Sequence, residues 1–222
     1  MINTNDTLGS LATRYPSATA VFLRHRLDFC CRGRDTLSDA CRSAGLDPAA
    51  IVAEIEAHDA DEDQEQPHWD IRPIPELVDH ILGRYHEPLR HDLPALIDAA
   101  RKVERVHRDK PSCPHGLAEH LARARSELEE HMGKEEQVLF PALRSGSHGQ
   151  AMHMPIRVMM QEHEDHGVSL RRIRELTSDL EAPADACGTW RALYAALGQL
   201  EADLMEHIHL ENNVLFPRGL NP

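Results

Sequence analysis

The chain has 222 residues, a formal net charge of −13 and a pI near 5.6, which argues against a surface that tracks nucleic acid or an anionic membrane. Aromatic residues make up only 4% of the sequence, and the apolar content lies in Leu, Ala, Val and Ile, so helices are favoured over sheets and one large domain, or a large and a small one, is expected. Five cysteines without a C-x-x-C pair argue against a disulfide scaffold and for reduced thiols, and the absence of a basic leader followed by an apolar run points to a cytoplasmic protein.

Residues 1–58 read as a small helical, cysteine-bearing domain. Asp6 is the expected N-cap of a helix over Leu8–Tyr15; Pro16 separates it from a second over Ser17–Leu27; Thr36–Ala44 closes at Gly45; and Asp47-Pro48 opens Ala49–His58. Between the second and third helices lies Asp28-Phe-Cys30-Cys31-Arg-Gly-Arg34. Adjacent cysteines have Cα atoms about 3.8 Å apart, closer than an unstrained disulfide accepts, so free thiols are expected. Arg32 and Arg34 would favour thiolate, making Cys30 and Cys31 soft metal ligands or nucleophiles; the bland reading, a buried small hydrophobe beside a glycine turn, carries about equal weight.

Residues 59–68, with the acidic run DADEDQEQP at 59–67, read as a linker into a second domain over 69–222. Its first helix, Ile74–His107, puts Val78, Leu82, His86, Leu89, Leu93 and Leu96 on one stripe, with a kink or break expected after His86 because of Pro88 and Pro94. After the loop Lys110–Pro114, a second helix runs to Leu143 with Leu121, Leu128, His131, Glu135 and Val138 on its stripe; a third runs from Pro155 to Leu180 and carries His163; a fourth, Thr189–Phe216, carries Leu197, Leu204, His207, Glu211 and Val214.

The second and fourth helices share one phrase. His131–Pro141 and His207–Pro217 both read H-x-x-x-E-x-x-V-L-F-P, at an offset of 207 − 131 = 76, and each is preceded by a lone histidine, His86 or His163. The unit is a helical hairpin, and two such hairpins make an antiparallel four-helix bundle with pseudo-twofold symmetry. A histidine and a glutamate four residues apart share one helix face, with Cβ atoms about 5–6 Å apart. Counting residues from the helix ends places His86 level with His131 and His163 level with His207. Two carboxylates in core stripes need a shared counter-charge. The expected ligand set is His86, His131, Glu135, His163, His207 and Glu211, with two imidazoles per ion and both glutamates bridging. Mixed His and carboxylate ligation with open positions favours two iron ions over zinc, leaving room for a bridging oxo or hydroxo oxygen and a small exogenous ligand. His166 and His209 are taken as solvent groups or neighbours of ligands. Glu136 and Glu162 are candidates to orient ligands or relay protons.

Arg84-Tyr85-His86, Lys102–Pro111, His131–Pro141 and Glu211–Pro217 resemble the RIC family of hemerythrin-like di-iron proteins, and Leu27–Gly33 resembles the small cysteine domain that precedes the bundle there. The resemblance implies an all-α, cytoplasmic stress protein that repairs iron-sulfur clusters damaged by nitric oxide or peroxide by donating iron. Its partners would be damaged iron-sulfur proteins and small diatomic ligands, without nucleic acid or membrane, and the family's ligands fall on the six residues named above. The alternatives are nitric oxide reduction at the di-iron centre and reversible binding or sensing of oxygen or nitric oxide.

Overall fold

A computed structural model of the chain describes residues 2–15, 17–61 and 68–221, so most of the acidic linker expected at 59–68 lies outside the described residues. Four short helices come first: α1 (Leu8–Arg14), α2 (Ser17–Arg24), α3 (Leu37–Ala44) and α4 (Pro48–Asp61). The N-cap of α1 is Thr7, not Asp6: the Thr7 side chain accepts from Ser10 N, while Asp6 pairs with Arg14 at 2.5 Å. Thr36 caps α3 in the same way, and Gly45 ends it in the left-handed conformation that glycine tolerates. Leu8, Leu11, Val21, Phe22, Phe29, Leu37, Ile51 and Ile55 form the core of this unit. An isolated bridge joins Thr7 to Thr36, and no strand occurs among the described residues.

The rest is four rods. The first is α5 (Ile74–Ile81), a π-helical turn (Leu82–His86) and α6 (Glu87–His107); the second is α7 (Leu117–Lys134), a π-turn (Glu135–Leu139) and α8 (Phe140–Arg144). The third is the unbroken α9 (Gln150–Leu176), and the fourth is α10 (Gly188–His209), a π-turn (Leu210–Leu215) and α11 (Phe216–Leu220). Rod one packs beside rods two and four, rod two beside rod three, and Arg174 grips Glu201 with both terminal and inner guanidinium nitrogens to close the ring between rods three and four. This is the antiparallel four-helix bundle expected from the repeat.

The break expected after His86 does not occur. Each π-turn ends two residues before a proline, in Glu87-Pro88, Phe140-Pro141 and Phe216-Pro217, and the N–H before each proline bonds five residues back, to Leu82, Glu135 and Glu211. Proline lacks an N–H and crowds the carbonyl four residues behind it; one turn of wider helix relieves the clash without interrupting the rod. α9 likewise begins at Gln150 rather than Pro155, since the carbonyl of Ala151, which Pro155 leaves without its helical partner, belongs to an exposed residue.

Two apolar layers flank the middle of the bundle. Leu93, Leu128, Leu170 and Leu204 belong to one, and Val78, Leu139, Ile156 and Leu215 to the other. The histidines and glutamates of the repeat lie between them.

The amino-terminal unit rests on the π-turn of rod four. Asn213 Nδ2 donates to the carbonyl of Phe29, and Asn212 Nδ2 to that of Cys30. The approach needs glycine at two places: a Cβ on Gly9 would stand 2.5 Å from Asn213 Oδ1, and one on Gly33 would overlap the same amide.

Candidate metal centre

Each candidate ligand comes from a separate rod at one level, except that rods two and four each contribute a histidine and the glutamate four residues on. His86, His131, His163, His207, Glu135 and Glu211 are all buried, at 0–2% exposure. His86 Nε2 lies 3.1 Å from His207 Nε2, and His163 Nε2 lies 3.1 Å from His131 Nε2. Glu135 reaches both pairs, with Oε2 3.4 Å from His86 Nε2 and Oε1 3.5 Å from His131 Nε2. Glu211 does the same from the other side, 3.0 Å from His207 Nε2 and 3.1 Å from His163 Nε2. The result is two overlapping tetrads, His86, His207 and His131, His163, each completed by both glutamates.

The outward nitrogens explain why the inward ones are free. His86 Nδ1 donates to Glu136 Oε1, His131 Nδ1 to Glu162 Oε2 and His163 Nδ1 to Asn212 Oδ1, each at 2.8 Å. With the proton on Nδ1, each Nε2 presents a lone pair to the centre. Neither oxygen of Glu135 has a hydrogen bond. Imidazole lone pairs and carboxyl oxygens crowd together at this depth with few protons to share, and a cation is the group that satisfies them all.

Charge says the same. Burial, then the neighbouring His207, lowers His86 to about 4, and burial, then His163, lowers His131 to about 3, so both imidazoles are neutral at pH 7. Burial and the adjacent Glu211 push Glu135 well above the usual carboxylate range. Burial would also raise Glu211, but the close imidazoles of His207 and His163 pull it well below. One buried carboxyl is thus held protonated until a positive charge arrives.

The walls come from the same repeat. Phe140 stands 5.7 Å from the His86 ring and Phe216 is parallel to His163 at 5.7 Å, so the F of each V-L-F-P shields a ligand. Tyr85 stacks on His207 at 5.4 Å, and His166 meets His131 edge-on at 4.9 Å. His166 and His209 are therefore not solvent groups: both are buried, and His209 bonds Asn213 and packs edge-on against Phe29. Spacing hid this because each is covered by a neighbour outside its own helix stripe, the His131 ring for His166 and Phe29 of the amino-terminal unit for His209. Asn212 was legible only through the duplication, since 212 − 76 = 136 makes it the counterpart of Glu136.

The remaining candidates, Cys30 and Cys31, sit at the edge of the centre. Their sulfurs are 3.6 Å apart and unbridged, Cys31 Sγ lies 3.5 Å from the carbonyl of His163, and Asp28 Oδ1 receives the N–H of Cys31 at 2.9 Å. Asp28, Cys30 and Cys31 could themselves hold an ion. The thiolate expected from the arginines is not favoured at Cys30, where the hydrogen bond to Cys31 and burial raise the thiol well above its usual range, and Arg32 pairs outward with Asp35 at 2.8 Å.

Residues 77–218 match the Hemerythrin HHE cation binding domain, and residues 4–59 match ScdA_N, a domain of unknown function (DUF542). The chain is 49% identical over 213 residues to the iron-sulfur cluster repair protein YtfE of Musicola paradisiaca (strain Ech703), covering 96% of this chain and 95% of the relative. It is 47% identical over 220 residues to YtfE of Yersinia pseudotuberculosis serotype O:1b (strain IP 31758), covering 97% of both. No helix of the described residues is long and apolar enough to cross a membrane. Matched along nearly its whole length and in both parts, the chain belongs to the RIC family, the hemerythrin-type proteins among which those relatives are found.

Proposed function

We propose that the chain is a di-iron protein that repairs iron-sulfur clusters damaged by nitrosative or oxidative stress, by giving up iron from its buried centre. His86 and His207 would hold one ion, His131 and His163 the other, with Glu135 and Glu211 shared. The observation that carries this reading is the pair of overlapping tetrads of buried histidine and glutamate atoms, three of whose four imidazoles turn a lone pair inward. Four imidazoles and only two carboxylates offer a pair of ferrous ions less negative charge than the ions carry, which suits exchangeable cargo better than a permanently held oxidant. When bound, iron supplies redox-active, coordinatively open positions for small ligands. The chain's own part is to aim the imidazoles through Glu136, Glu162 and Asn212, to exclude water with Phe140 and Phe216, and to bring Cys30 and Cys31 to the rim as acceptors for departing iron. The amino-terminal unit, docked through Asn212 and Asn213, holds those thiols in place.

Anaerobic loading with ferrous iron, metal analysis and Mössbauer spectroscopy test the cofactor: two irons per chain are expected. Loaded protein mixed with a nitric-oxide-damaged cluster enzyme should restore its activity. A Cys30→Ala/Cys31→Ala variant that keeps both irons should be slower. No reactivation by loaded protein sinks iron donation, and wild-type speed in the double variant removes the thiols from it.

A further inference from the structure

The repeat equips the two metal positions unequally. Subtracting 76 or 77 pairs Glu136 with Asn212 and Tyr85 with Glu162 (162 − 77 = 85). The first two are matched in action, each accepting from the Nδ1 of a lone histidine at 2.8 Å. The second two are not. Glu162 accepts from His131 Nδ1 at 2.8 Å and is itself held by Lys134 Nζ at 2.6 Å, whereas Tyr85 offers His207 only the face of its ring. His207 Nδ1 is left buried with no hydrogen-bond partner. It is the one histidine of the four whose outward nitrogen no acceptor holds.

An acceptor behind a ligating imidazole fixes its rotation and tautomer and raises its basicity, and losing one typically costs about 10–100-fold in metal affinity. The Tyr85 ring also separates His207 from a cavity of about 290 Å³ that Tyr85, Glu206 and His209 help to line, so the weakly held histidine has space behind its cover. The opposite tetrad has both imidazoles anchored and His131 further braced by the His166 ring. We infer that the two positions differ in lability, and that the ion between His86 and His207 is the one released first while the ion between His131 and His163 stays. This rests on the dinuclear reading above and says which half of the centre is cargo.

The test is release kinetics from the full chain loaded anaerobically with two ferrous ions, challenged with bipyridine and followed by its ferrous absorbance. Two phases of one iron each are expected, separated by about tenfold or more. Glu162→Ala and Asn212→Ala each remove an anchor from the second tetrad and should speed only the slow phase, by about tenfold. Glu136→Ala should speed only the fast one. A single phase carrying both irons overturns the inference, as does acceleration of the fast phase by Glu162→Ala or Asn212→Ala. Failure to load two ions is a different result, read before the chelator is added, and it falls on the dinuclear reading itself.

Discussion

Glu135 lies with both oxygens buried and unbonded, which makes it costly to the metal-free protein. A carboxylate in that position without a counter-charge costs several kcal/mol or stays protonated. Replacing it with leucine should therefore raise the stability of the apo protein by about 1–3 kcal/mol in urea denaturation, while metal analysis shows loss of the two-iron form. The neighbouring histidines give the apo protein its acid limb. His86 and His209 are lowered to about 4, and His131 and His166 to about 3, with burial the first cause in each. The unfolded chain protonates these rings near pH 6.5 and the folded chain does not, so below that pH the unfolded state binds more protons. The rings' contribution should be full above about pH 6.5 and fall towards pH 4, each adding a slope of about 1.4 kcal/mol per pH unit, while the raised Glu135 carboxyl acts with the opposite sign as pH rises. Chemical denaturation of apo protein across that range checks the sign; a flat profile would show that the rings are not buried neutral.

At the scale of elements, the V-L-F-P tail of each repeat does three things. Proline widens the preceding turn, phenylalanine covers a histidine, and the turn re-aims the residues between. Val138 and Val214 occupy the same repeat position and were both expected on a core stripe, yet Val138 is 62% exposed and Val214 only 3%. The difference is the neighbours: Val214 packs into the apolar layer of Leu77, Val78 and Tyr85, and α1 of the amino-terminal unit also rests on its π-turn. Val214→Ala should cost about 2 kcal/mol, and Val138→Ala should fall within about 0.5 kcal/mol of wild type. Equal losses in thermal or urea melts would mean that Val214 is not packed into that layer.

For the whole molecule, docking depends on backbone approaching an amide too closely for any side chain. Gly33→Ala sets a methyl group into Asn213 and should release the amino-terminal unit. Faster hydrogen exchange is expected over residues 17–44, with the bundle's protection and its metal binding unchanged. Protection in the amino-terminal unit equal to wild type would disprove the docking mode.

The fold class, the rods and the meeting of four histidines and two glutamates at one level were written in local pattern: a 3.6-residue periodicity and a phrase repeated at a spacing of 76. Such features act within one helix or between its duplicates, where geometry is set by a few bonds. What only the tertiary structure decided were the continuity of rod one through Pro88, the burial of His166 and His209, the exposure of Val138, the place of the thiols and the orphaned Nδ1 of His207. Each depends on which surface meets which across the bundle, as when Asn213 meets Phe29 from 184 residues away. A helix register shifted by one residue in a π-turn changes those meetings without changing the periodicity that announces the helix.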